Sequence, residues 1–246
     1  MSGSSVLSGL LGRLRGRREP AAEPVPLREI KLRAIDHAFG KLGCRSLADL
    51  GGVWMVDGGY ALHAIDSHGA ERAVICDDEF SEPLLARARD DERVELVAGN
   101  FGRPETVGQI GQVDAIALFD ILLHQVRPDW DEMLEMYARV PRCFVISQPM
   151  WNGDSTVRLL ELGRERYVES VIFPEWHDQA WDRLDEWHPE RGRLWRDSHD
   201  IWQWGNTETD LVATMARLGF ELDYRENLGP WMGLERFDDV AMVFRS

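Results

Sequence analysis

The chain has 246 residues, 44% hydrophobic and 29% charged, enough for one large globular domain with a sizeable core. Its 28 Lys and Arg against 43 Asp and Glu leave a formal net charge of -15, which repels polyanions and argues against a nucleic-acid partner. No run of eighteen apolar residues and no secretory signal pattern occurs, so no stable membrane insertion is expected; Cys44, Cys76 and Cys143 form no CxxC pair and fit a reducing, cytoplasmic setting.

Residues 1–26 stand apart. Leu7, Leu10, Leu11 and Leu14 fall at helical spacing beside Arg13, Arg15, Arg17 and Arg18, and Pro20, Pro24 and Pro26 follow. This reads either as a short basic amphipathic helix on a tether or as a frayed tail, since so short a helix is marginal alone. From 27 to 246 the pattern is that of one domain.

A helix is predicted over 27–42, ending where Gly43 can take a left-handed cap, and a strand over 46–50. A glycine-rich loop spans 51–59 before a helix over 60–68. Further strands are predicted at 72–76, 94–98, 113–119 and 143–147, with helices at 82–90, 104–110 and 130–140. Nearly continuous apolar strands alternating with helices predict a Rossmann-like, doubly wound α/β fold with a mostly parallel seven-stranded sheet. The rhythm breaks over 151–205, which holds seven of the ten tryptophans and three of the seven histidines; it reads as a helical or irregular insertion. A helix over 207–218 and strands at 220–225 and 240–244 follow, the last strand antiparallel.

Ligands of such sheets lie beyond the carboxyl ends of the strands. Glycines after the first strand let backbone approach a ligand, and the next helix points its amide-rich N-terminus there. Asp77 and Asp78 after the second strand suit a pair of ribose hydroxyls, and one of them is expected to cap the next helix. Asn100 and Phe101 after the third suit the edge and the face of a heterocycle.

In this order the stretches ADLGG with GGYALHAI, AVICDD, VELVAGNFGRPE and VDAIALFDILLHQVRPDWDEMLEMYARV resemble the class I S-adenosylmethionine-dependent methyltransferases over 27–150 and 207–246. The resemblance implies that Asp49, Gly51, Gly52 and Gly58 surround the methionine part of S-adenosylmethionine. Asp77, with Asp78 beside it, would bind the ribose. Asn100 and Phe101 would meet the adenine, and Phe119 and Asp120 would border the sulfonium. The family's compact glycine motif is split here by residues 53–57. The implied activity is methyl transfer to a small molecule or glycan, most simply onto oxygen; the alternative is a protein that keeps the fold and the cofactor without catalysis. A dehydrogenase fits less well, because the compact GxGxxG is missing.

Asp49 reads as a cap or as a ligand group, and an acid ending a buried strand is costly without a partner. His124, just past the fourth strand, reads either as a structural histidine or as the acceptor of a substrate proton. His177, His188 and His199 are spaced by eleven, but Pro189 and Gly192 break any common helix, so no metal site is read from them. The tryptophans of the insertion read as its own small core, with some faces free for an acceptor.

Overall fold

The structure, a computed structural model, describes residues 25–246, so the leucine- and arginine-bearing segment around Leu7 to Arg18 lies outside the described residues. Strands and helices alternate as α1 (Glu29–Gly40), β1 (Ser46–Leu50), α2 (Gly59–His68), β2 (Arg72–Asp77), α3 (Glu82–Asp90), β3 (Val94–Ala98), α4 (Pro104–Ile110), β4 (Ala115–Phe119), α5 (Trp130–Tyr137) and β5 (Cys143–Trp151). After the insertion come α8 (Glu208–Arg217), β10 (Glu221–Pro230) and β11 (Phe237–Arg245).

One seven-stranded sheet has the order β10-β11-β5-β4-β1-β2-β3. The strands β1 to β5 run parallel, and β11 is antiparallel to both β5 and β10. The sheet reverses direction of winding at β1, which pairs with β2 on one side and β4 on the other. That switch point is where an open α/β sheet places its ligand.

The apolar strand runs are buried on both faces because helices cover each side. On one face Ile30, Ala34, Ile35 and Ala38 of α1 join Ala61, Ala64 and Ile65 of α2 over Leu47, Ala73 and Ile75. On the other, Met133, Leu134 and Tyr137 of α5 and Leu211 and Met215 of α8 cover Ile116, Leu118 and Phe144. Each such Ile or Leu contributes roughly 1.5–3 kcal/mol by leaving water. The last strands are longer than the sequence pattern predicts because β11 pairs with β5 all the way from Phe237 opposite Trp151 to Arg245 opposite Cys143.

The insertion holds β6 (Val157–Arg158), α6 (Arg164–Ser170), α7 (Pro174–Trp181), β7 (Trp187–His188), β8 (Arg193–Leu194) and β9 (Trp204–Gly205). It builds its own core from Leu159, Tyr167, Val171, Ala180, Leu184, Ile201 and Trp202, with Trp176, Trp181 and Trp195 packed against it, whereas Trp187 is 63% exposed. His177 lies on α7, His188 on β7 and His199 beyond β8, so they share no helix; His177 Nδ1 instead meets the buried Tyr167 hydroxyl at 3.1 Å. Among the described residues no helix is long and apolar enough to cross a membrane.

Candidate active site

The carboxyl ends of β1, β2 and β4 bring most of the expected residues to one place. Asp49 is 1% exposed, and its Oδ2 has no hydrogen-bond partner. Burial pushes its carboxyl up to about 7; Lys31 opposes that rise and Asp77 adds to it. Gly52 lies over this carboxylate, since a Cβ there would fall 2.5 Å from Asp49 Oδ2. Gly51, at φ +72°, passes so close to Ile121 that a Cβ would fall 2.5 Å from its Cδ1. Gly58 ends the loop at φ +77°, donates its amide to Gly52 O at 2.9 Å and turns toward Ile75 and Leu84 in the core.

Asp77 Oδ2 accepts from the Val53 amide at 3.0 Å and Oδ1 from the Asp78 amide at 2.8 Å, so the acid ending β2 holds the loop that follows β1. Burial raises its carboxyl, and those amides restrain the rise. Asp78 is exposed. The expectation that one of these acids caps the following helix is corrected: Ser81 caps α3, its Oγ accepting from the Leu84 amide at 3.1 Å, because it stands at the last extended residue before the helix. Asn100 Oδ1 accepts from the Gly102 amide at 2.8 Å, and the Phe101 carbonyl accepts from the Tyr137 hydroxyl at 2.8 Å, which fixes that turn.

Phe119 ends β4 buried, its ring edge-on to Tyr60 with centroids 4.7 Å apart. Asp120 follows in the left-handed region, φ 58°, which is strained for a non-glycine residue though less so for Asp. Its Oδ2 pairs with Lys31 Nζ at 2.5 Å, and its Oδ1 is buried without a partner.

Three contributors escaped the sequence reading. Lys31, on α1, is 4% exposed and lies 5.4 to 5.5 Å from the ring centres of Phe119 and Tyr60. Asp239, on β11, is 3% exposed, pairs with Arg28 and leaves Oδ1 without a partner; burial raises its carboxyl, with Arg28 and Lys31 opposing and Asp120 reinforcing. Tyr60 on α2 accepts from the Arg28 amide through its hydroxyl at 3.0 Å. Asp49, Asp120 and Asp239 thus lie near Lys31, with Arg28 paired to Asp239 and Asp77 beside Asp49, so acids outnumber cations there. The only sequence signal for Lys31 is its rarity, since the chain has just two lysines, Lys31 and Lys41.

His124 lies beyond these, in the turn after β4 (Leu122–His124), with Nδ1 buried and unpartnered. Burial and then the neighbouring His199 push its imidazole down to about 4. The insertion meets it there: Trp202 sits edge-on with ring centres 6.3 Å apart, the Gln203 amide donates to Leu123 O at 2.9 Å, and Trp204 Nε1 donates to Gln125 O at 2.8 Å. Its His199 also lies 6.4 Å from the Trp54 ring of the glycine loop.

No family model matches this sequence, and no curated protein matches it. Solved structures do match its fold. A 1,6-didemethyltoxoflavin-N1-methyltransferase from Burkholderia thailandensis, with bound 1,6-didemethyltoxoflavin and S-adenosylhomocysteine, is 16% identical over 99% of this chain and 85% of its own, with a TM-score of 0.56. The N-terminal domain of EvdMO1 with S-adenosylhomocysteine bound is 16% identical over 100% of this chain and 98% of its own, at 0.54. An O-methyltransferase family protein from Burkholderia thailandensis is 15% identical over 87% of this chain, at 0.50, and the present chain spans 55% of its length. The chain therefore has the Rossmann-like fold of the class I S-adenosylmethionine-dependent methyltransferases, as the order of its motifs implied.

Proposed function

We propose that the protein is an S-adenosylmethionine-dependent methyltransferase that methylates a small molecule or glycan, at oxygen. The observation that carries this reading is the set of buried, unpartnered carboxylate oxygens, Asp49 Oδ2 and Asp120 Oδ1 after the central strands and Asp239 Oδ1 on β11, in a methyltransferase fold. Buried acceptors without donors are costly, and a ligand's ammonium would supply donors while its sulfonium would supply positive charge. The residues therefore fit the cofactor. Asp49, with the backbone of Gly51, Gly52 and Gly58, takes the methionine end. Asp77 and Asp78 take the ribose, Asn100 and Phe101 the adenine, and Phe119 and Asp120 border the sulfonium.

Bound S-adenosylmethionine supplies an electrophilic methyl group whose sulfur leaves as a neutral thioether. What remains for the protein is to align the acceptor, exclude water and receive one proton. We assign the proton to His124 Nδ1, which is neutral at pH 7 and has no other partner. A base held near 4 cannot ionise an alcohol beforehand; it takes the proton as the oxygen–methyl bond forms, which suits an acidic hydroxyl. Asp120 and Asp200 face the imidazole and favour its charged form as the proton arrives. The insertion, joined to the turn that carries His124, closes the acceptor side. A cytoplasmic location fits the free, buried Cys44, Cys76 and Cys143.

Calorimetry with S-adenosylmethionine, S-adenosylhomocysteine and NAD tests the cofactor. Saturable binding of the first two and none of NAD is expected, and the reverse refutes the proposal. Incubation with methyl-labelled S-adenosylmethionine and extract of the source cell, followed by identification of the labelled product, tests turnover and names the acceptor. Cofactor binding without any labelled product would favour a non-catalytic binding protein.

A further inference from the structure

Away from the carboxyl ends of the strands, α1 and α2 pack side by side, and three side chains meet between them. Asp36 of α1 and His63 and His68 of α2 each present one ligand atom, all within 4.8 Å of one another; among the described residues no other group of His, Cys and acids converges so. Both Nε2 atoms, of His63 and of His68, lie 2.7 Å from the same oxygen, Asp36 Oδ1. The imidazole rings are 78° apart in plane with centres 5.5 Å apart, so their nitrogens converge without stacking. The three side chains are 19 to 45% exposed, within reach of a solvated ion.

We propose that Asp36, His63 and His68 bind zinc, or a first-row divalent cation like it, on the outer helical layer, where the ion ties α1 to α2. Two imidazole nitrogens and a carboxylate oxygen are a donor set that zinc takes readily, with water in the fourth position. Tetrahedral ligands at bond lengths of about 2.0–2.1 Å stand roughly 3.3 Å apart, so the present 2.7 Å separations need to open by less than an ångström. The outer contacts suit the purpose. His63 Nδ1 lies 3.1 Å from the Ser67 hydroxyl, which can accept its proton and leave the Nε2 lone pair for the metal. Gly69, at φ 64°, ends α2 immediately after His68 and sets the turn from which that imidazole reaches back to Asp36.

The site does not depend on the methyl-transfer reading. It shares α1 with Lys31 and α2 with Tyr60, but His68 stands at the end of α2 remote from Tyr60. The cysteines Cys44, Cys76 and Cys143 are buried, and residues 1–24 contain neither His nor Cys.

The test uses the full chain stripped with EDTA and titrated with Zn2+ by calorimetry and with Co2+ by visible absorption. One equivalent is expected to bind, with Co2+ bands of a four-coordinate nitrogen and oxygen site and a rise in Tm on adding Zn2+. His63→Gln, His68→Gln and Asp36→Asn should each weaken Zn2+ binding by about tenfold or more and cancel the Tm rise, while S-adenosylmethionine affinity stays as in the unaltered chain. In the unaltered chain the assigned imidazole resonances of His63 and His68 should move on adding Zn2+ before those of any other histidine, a reading that needs no variant to fold. Absence of one-equivalent binding, binding indifferent to all three substitutions, or unmoved His63 and His68 resonances overturns the proposal and leaves the cluster a hydrogen-bonded helix clamp.

Discussion

Asp49 carries the sharpest consequence of a buried charge. Its carboxyl is held at about 7, above its unfolded value, so the stability it contributes is present below about pH 4 and lost as pH rises through 7. A cationic ligand favours the ionised form. S-adenosylmethionine should therefore bind more tightly as pH rises through 7 and release a proton near that pH, which calorimetry in buffers of different ionisation enthalpy measures. Asp49→Asn should abolish the proton release and flatten the pH dependence; an unchanged proton count removes Asp49 from the ligand. His124 makes a second, separate prediction. His124→Gln should lower turnover by about a hundredfold or more with cofactor affinity unaltered, because Gln fills the space but takes no proton. Equal turnover would return His124 to a structural role. At this scale Asp77 and Asp120 were legible because each terminates an apolar run, and Asp49 because it is the one acid inside one. Asp239 was hidden because it precedes the predicted strand start at Val240, and Lys31 because α1 showed only the apolar face that packs on the sheet.

Among the elements, the glycine loop and the insertion behave differently. Gly58 serves the fold before it serves any ligand: its φ of +77° and the closeness of Ile75 and Leu84 both forbid a side chain. Gly58→Val should cost about 2 to 4 kcal/mol in urea unfolding, combining backbone strain with overpacking. Full stability would place the loop differently. In the insertion, Trp202 packs on Trp231, Phe237 and His124, and Trp202→Ala should cost about 3 kcal/mol or more. Trp187→Ala should change stability by less than about 0.5 kcal/mol, since that ring is 63% exposed. Equal losses in the two variants would contradict the packing described. The bounds of β1, α3, β3 and α4 were readable to the residue because turn or capping residues flank clean periodicity. The strands β6 to β9 were not, for two-residue strands have no period to read; their places are set by contacts such as Val157 opposite Gly205.

Over the whole molecule, the site draws on both ends of the described chain. Arg28 and Asp239 pair across 211 positions, and Lys31 joins Asp120 across 89. Lys31→Met should destabilise the protein by about 1 to 2 kcal/mol, because it leaves Asp120, whose side chain is one-third exposed, without its cation. Unfolding in urea at pH 7 measures this, and Asp120→Asn in the same background should recover part of the loss. A net charge of -15 amplifies the effect, since removing one of few cations near the site adds to the repulsion among its acids.

The placement of β11 between β5 and β10 has a consequence for biosynthesis. Until that strand is made, β5 presents an open edge along its whole length, and the ribosome holds a chain whose sheet is complete on one side only. Asp239 travels on the same strand and Lys31 waits near the other end, so a nascent or C-terminally clipped chain lacks the Arg28–Asp239 pair as well as the sheet's closure. Under the proposed function, the capacity to retain S-adenosylmethionine is then a check on translation itself: only a polypeptide read through to β11 would pass it.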